Sequence, residues 1–159
     1  MKKNNDKTNV MRILDQNKIE YKSHYYYDTD AISGIEVAEV LNENPKQVFK
    51  TLVTAGASKN HYVFVIPVDK ELDLKKAARS VNEKNVEMIK SKDLLGLTGY
   101  IHGGCSPIGM KKQFVTVIDE TANSFNTIIF SAGKIGYQVE LSITDLSKVI
   151  NIKTSDLTK

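Results

Sequence analysis

Lys50 stands between Phe49 and Leu52 in an apolar, β-forming run, an unusual place for an ammonium group. A lysine there either snorkels to water from an edge strand or points into a cleft. In a cleft it can hold an anionic phosphate, polarise an ester carbonyl or, with a lowered pKa, serve as a base. The residue types alone leave both placements open.

Two glycine-rich segments could complete such a cleft. Gly103-Gly104-Cys105-Ser106-Pro107-Ile108-Gly109 puts three glycines and a proline into seven positions. Its backbone can approach a ligand where side chains would obstruct, so an ester, a phosphate or a ribose would suit it; a tight turn between strands has the same composition. It matches neither a Walker nor a dinucleotide motif. Ser131-Ala132-Gly133-Lys134-Ile135-Gly136 follows a β-like run and sets a hydroxyl and an ammonium at a strand end. Strand ends are common homes for sites, and a plain hairpin turn with a solvated lysine fits as well.

Cys105 lies three residues from His102, which invites a thiol-and-base pair. A lone cysteine is more often a small apolar filler, and this spacing does not establish the contact. His24, His61 and His102 are scattered, and with one cysteine they form no metal-ligand pattern, so no metal is expected.

The elements that must position these residues follow from apolar spacing. Val10, Ile13 and Leu14 predict a short amphipathic helix ending at Asn17-Lys18. Tyr21 to Tyr27 suits a strand or a cleft edge. Gly34, Val37, Ala38 and Leu41 share one helical face before the break at Pro45. Val48 to Ala55 and His61 to Pro67 read as a hairpin around the turn at 56–60. Asp73 is a suitable N-cap for a helix carrying Leu74, Ala77, Ala78 and Val81. Short β-like pieces follow at Val86 to Ile89, Phe114 to Ile118, Thr127 to Phe130 and Tyr137 to Leu141, and Leu146 to Ile150 reads as a closing helix. Strands outnumber helices without alternating strictly with them, which predicts a mixed α+β sheet. Residues 1–159 read as one domain, with about 1–6 and 154–159 flexible.

Composition narrows the class. Hydrophobic residues at 41% and charged residues at 26% argue against wholesale disorder. The net charge of +3 is too small to announce nucleic-acid binding by itself. Lys111, Lys112 and Lys134 could supply a local basic face, although charged pairs usually just solvate a surface. A single cysteine, a polar N-terminus and no run of about 20 apolar residues predict a cytoplasmic protein without membrane insertion.

Six strings together resemble the YbaK/EbsC family in order and spacing: Val48 to Leu52, Leu72 to Ala78, Val86 to Met88, Thr98 to Tyr100, Gly103 to Lys112, and Ser131 to Lys134. Each is weak alone, and in register they span nearly the whole chain. The resemblance implies an α+β domain with a mixed, partly barrel-like sheet flanked by helices, related to the editing domain inserted in bacterial prolyl-tRNA synthetases. It implies an enzyme, an aminoacyl-tRNA deacylase that hydrolyses the ester of a mischarged tRNA, most typically cysteine on tRNA(Pro). A pocket alone separates near-isosteres poorly, which is why translation fidelity needs a second, hydrolytic check.

By the same resemblance, Lys50 is the active-site lysine that grips the terminal adenosine region and the ester. Gly103 and Gly104 form the backbone wall of the amino-acid pocket, with donors for a developing oxyanion. Ser131 is the pocket serine, and Tyr26 lines the cleft, within a Tyr25-Tyr26-Tyr27 run whose register is open by one place. The family has no evident protein nucleophile; the substrate's own thiol attacks its ester, so the protein works by proximity, and the step can be classed with the lyases. No cofactor is implied, and prolyl-tRNA synthetase is an expected partner. Cys105 stands where relatives often carry a branched aliphatic residue, and Ser33 where an aromatic residue helps line the amino-acid site. Alanine or serine as the amino acid, or a non-catalytic module binding tRNA or a synthetase, are the competing readings.

Overall fold

Thr8 accepts a hydrogen bond from the Met11 amide and so caps α1 (Asn9–Gln16) in the computed structural model, which describes residues 7–159. The N-terminal stretch expected to be flexible, 1–6, lies outside the described residues. Val10, Met11 and Leu14 bury the inner face of α1. That face lies over both glycine-rich loops: a Cβ on Gly133 would come within 3.1 Å of Val10, and one on Gly109 within 3.1 Å of Ile13. Gly133 and Gly109 also hold φ angles of +90° and +79°, so the close approach and the left-handed backbone both require glycine there.

The tyrosine-rich run yields only a short strand, β1 (Lys22–Tyr25); from Tyr26 the chain turns. α2 (Gly34–Val40) starts on a reciprocal cap in which Ser33 accepts from the Glu36 amide and Glu36 accepts from the Ser33 amide. Next comes the expected hairpin of β2 (Phe49–Gly56) and β3 (His61–Pro67), with Lys50 opposite Ile66. Asp73 accepts from the Lys75 and Lys76 amides to start α3 (Leu74–Ser80), and those bonds hold its carboxyl below the usual range. β4 (Val86–Met88) leads to α4 (Ser91–Thr98), a helix the spacing did not predict. β5 (Val115–Asp119), β6 (Ile128–Ser131) and β7 (Tyr137–Leu141) follow within a residue or two of expectation. The closing helix, α5 (Ile143–Leu146), lies earlier than the apolar spacing predicted, because Ser142 caps it by accepting from the Asp145 amide.

β8 (Ile152–Ser155) adds a parallel strand beside β5. The C-terminal residues are therefore not loose as expected. Leu157 is fully buried, its amide donates to Asp119, and Thr158 pairs with Leu72. Burying that one leucine is worth about 1.5–3 kcal/mol, enough to hold a short tail in place.

The strands form two sheets, ordered β1-β7-β6 and β4-β2-β3-β5-β8. The first is antiparallel; in the second β2 pairs antiparallel with β3 and β4, while β3-β5 and β5-β8 are parallel. The mixed α+β arrangement matches expectation. The partly barrel-like character does not extend to closure: neither sheet closes, and one parallel bridge, Val48 to Ile129, links β2 to β6. The largest apolar cluster, including Phe49, Val63, Phe130, Tyr137 and Val139, contains residues of both sheets. Among the described residues no helix is long and apolar enough to cross a membrane.

Candidate active site

A cavity of about 730 Å³ opens where β2 lacks a neighbour. β4 covers β2 only from Thr54 to Gly56, and the β6 bridge reaches only Val48. Val68 donates to the Val48 carbonyl, so in this antiparallel pair the even-numbered residues of β2 exchange bonds with β3. The amide groups of Phe49, Thr51 and Val53 therefore face the other edge. Ile89 takes the Val53 carbonyl, and the peptide groups of Thr51 face the cavity edge without a strand partner.

Lys50 lines this cavity, half-buried, and its ammonium has no hydrogen bond or ion pair among the described residues. The cleft placement is thus the one the fold adopts. Tyr26, Gly103 and Ser131 line the same space, so four residues from four separate segments converge. Of the three tyrosines it is Tyr26, 4% exposed, that lines the cavity. Tyr25 and Tyr27 instead pack on Tyr137, at ring separations of 5.4 and 5.6 Å. Burial pushes the Tyr26 hydroxyl up, opposed by a backbone hydrogen bond from Gly136.

The glycine loop meets the second turn directly. A Cβ on Gly104 would stand 3.1 Å from the Ile135 amide nitrogen, and one on Gly103, at φ +89°, 3.2 Å from Ile32. The loop offers fewer donors than expected: the Gly104 amide is already given to the Ile101 carbonyl, while the Gly103 amide has no partner among the described residues. Ser131 accepts from the Gly133 amide at 3.0 Å, which fixes its oxygen and leaves its proton available.

Cys105 is 9% exposed, and burial pushes its thiol up to about 12. It remains protonated at neutral pH and serves as the apolar filler. Ser33 lines the rim as the α2 cap, beside Ile32, which is 52% exposed. Lys111 and Lys112 are exposed beyond the loop. Lys134 is also exposed and holds its ammonium 4.9 Å from the Tyr137 ring centre.

Residue patterns missed two polar contributors. Gln138 lines the cavity and is paired in register with Ser131, and Glu43 stands behind it. The available signal was the strand Tyr137-Gln138-Val139-Glu140-Leu141, which sets two polar residues on one face of an otherwise apolar stretch.

An open β edge, the unpaired Lys50 ammonium, the free Gly103 amide and the Ser131 hydroxyl around a single cavity suit a carbonyl compound bearing an anionic or polar tail. In sequence the chain belongs to the aminoacyl-tRNA editing domain family, whose pattern matches residues 29–149. It is 46% identical over 158 residues to EbsC of Enterococcus faecalis, described as a candidate Cys-tRNA(Pro)/Cys-tRNA(Cys) deacylase; the match covers 99% of this chain and 96% of that one. Solved structures share the fold at lower identity. A hypothetical protein is 21% identical with a TM-score of 0.85, covering 94% of this chain and 99% of that one. A candidate trans-editing enzyme for prolyl-tRNA synthetase is also 21% identical, with a TM-score of 0.82, covering 97% and 99%.

Proposed function

We propose that this chain acts as one domain, a trans-editing deacylase of the cytoplasm that cleaves the ester between cysteine and tRNA(Pro). The observation that carries this reading is the convergence of Lys50, Tyr26, Gly103 and Ser131 on one cavity, in a chain so close to EbsC. Lys50 grips the terminal adenosine region and polarises the ester. The Gly103 amide donates to the oxygen on which charge develops, and Ser131 and Tyr26 bound the amino-acid side.

Among the described residues the Cys105 thiol stays protonated and buried, and no base is hydrogen-bonded to the Ser131 hydroxyl, so neither is activated for attack. The substrate supplies the nucleophile. Its sulfur attacks its own ester carbonyl, the carbon–oxygen bond to the ribose breaks, and the ribose oxygen takes the thiol proton. The strained cyclic thioester left behind is opened by water to give cysteine. The cavity contributes alignment, which can replace much of the cost of bringing reactants together.

Lys111, Lys112 and Lys134 contact the tRNA backbone in this reading. A net charge of +3 supports only weak, salt-sensitive tRNA affinity, so selection of tRNA(Pro) falls to a complex with prolyl-tRNA synthetase. A deacylation panel of cysteinyl, alanyl, seryl and prolyl tRNAs, with and without the synthetase, tests substrate and partner together. Cysteine is expected to be released fastest. Preferential release of alanine or serine would move the specificity, and tight binding with no ester loss above background would leave a binding module instead.

A further inference from the structure

Glu43 lies in the loop after α2, with only 6% of its side chain exposed. Gln138 turns its carboxamide nitrogen to it, 2.8 and 3.2 Å from the two carboxylate oxygens, the orientation in which donor meets acceptor. The planar amide then directs its carbonyl away from Glu43. Gln138 lines the cavity, next to Ser131 across the β6-β7 pair.

A second layer fixes Glu43. His24 Nδ1 is 3.9 Å from Glu43, and His24 Nε2 is 2.7 Å from Glu140, which also accepts from the Thr127 hydroxyl. Gln47 in turn donates to Thr127 at 2.9 and 3.1 Å. Burial pushes the Glu43 carboxyl up, against His24 and Gln138, which favour its charged form. Apolar packing would hold these strands together at less desolvation cost, so the network's product is the orientation of the one amide that reaches the cavity.

We propose that Glu43 is a positioning residue: it locks the Gln138 carboxamide so that the carbonyl oxygen accepts a hydrogen bond from the α-amino group of the aminoacyl ester. The ligand's identity rests on the deacylase reading. Among the donors such an ester carries, the protonated amino group is the cation, and an acceptor backed by a carboxylate favours it over neutral ribose hydroxyls. Lys50 on the β2 wall repels the same cation, so the two walls orient the substrate between them.

The test uses two ligands that cannot be hydrolysed: cysteine, and 3-mercaptopropionic acid, each joined by an amide to 3′-amino-3′-deoxyadenosine. They differ only in the amino group. By titration calorimetry the wild-type chain should bind the cysteinyl ligand roughly tenfold or more tightly than its des-amino counterpart. Gln138→Met and Glu43→Met should each bring the two affinities to parity while leaving the des-amino affinity unchanged. Loss of packing alone would weaken both ligands together, and Gln138→Met, close in shape, decides the matter if Glu43→Met does not fold. Equal wild-type affinities, including no binding of either ligand, or variants that weaken both equally, would overturn the proposal. Amino selectivity without ester loss from cysteinyl-tRNA(Pro) would instead sink the deacylase reading alone.

Discussion

The two ends of β2 obey different rules. At the Thr54–Gly56 end the strand has β3 on one side and β4 on the other, and the Thr54 hydroxyl, fully buried, donates to the Tyr62 carbonyl at 3.1 Å. At the Phe49–Val53 end only β3 is in place, the Lys50 ammonium is unpaired, and the Thr51 hydroxyl is buried with no partner. Folded proteins rarely leave buried polar groups unsatisfied, because each costs about 1–3 kcal/mol. The strand is satisfied at one end and left wanting at the other, the end that borders the cavity.

Lys50→Ala should have the largest effect. It removes the one cation at the unsatisfied end, and release of cysteine from tRNA should fall roughly a hundredfold or more while the melting temperature holds or rises. A lysine that merely snorkelled to water would leave the rate untouched.

The two threonines sharpen the contrast through stability. Thr54→Val removes a satisfied buried hydroxyl and should cost about 1 kcal/mol, a melting shift of about 2–4 °C, with deacylation unchanged. Thr51→Val removes an unsatisfied one and should leave stability equal or higher by up to about 1 kcal/mol. Equal destabilisation by both, read by denaturant titration, would erase the difference between the two ends.

The smallest effect is expected at Cys105. With its thiol pushed up to about 12, little thiolate exists at pH 8, so iodoacetamide should leave the folded protein unmodified over hours and alkylate it in denaturant. Cys105→Ala should keep the deacylation rate within about twofold, as the filler reading requires. Rapid alkylation of the folded chain would restore the cysteine as a candidate nucleophile.

Much of this site was legible because it depends on residues out of character with their surroundings. Lys50 in an apolar run and glycines clustered at 103–109 stand out without a structure, and α3 announced itself through the Asp73 cap. α4 escaped because it has no side-chain cap, carries Gly96 in its interior and buries only Thr98. β8 escaped because Ile152-Lys153-Thr154-Ser155 is half polar and becomes a strand through its pairing with β5. The Glu43–Gln138 pair is tertiary: a loop residue meets a strand residue far along the chain, and neither residue type signals the other. The Gly104 donor was misjudged for a similar reason, since its use by Ile101 is a property of the turn, not of the glycine.

Cleavage of the ester is assigned to the unsatisfied end of β2. The most direct test is the rate of cysteine release from cysteinyl-tRNA(Pro) by the wild-type chain, Thr54→Val and Lys50→Ala, each assayed well below its melting temperature. Equal release by the first two and release near background by Lys50→Ala are expected. Wild-type release no faster than background, or Lys50→Ala release at the wild-type rate, would contradict that assignment.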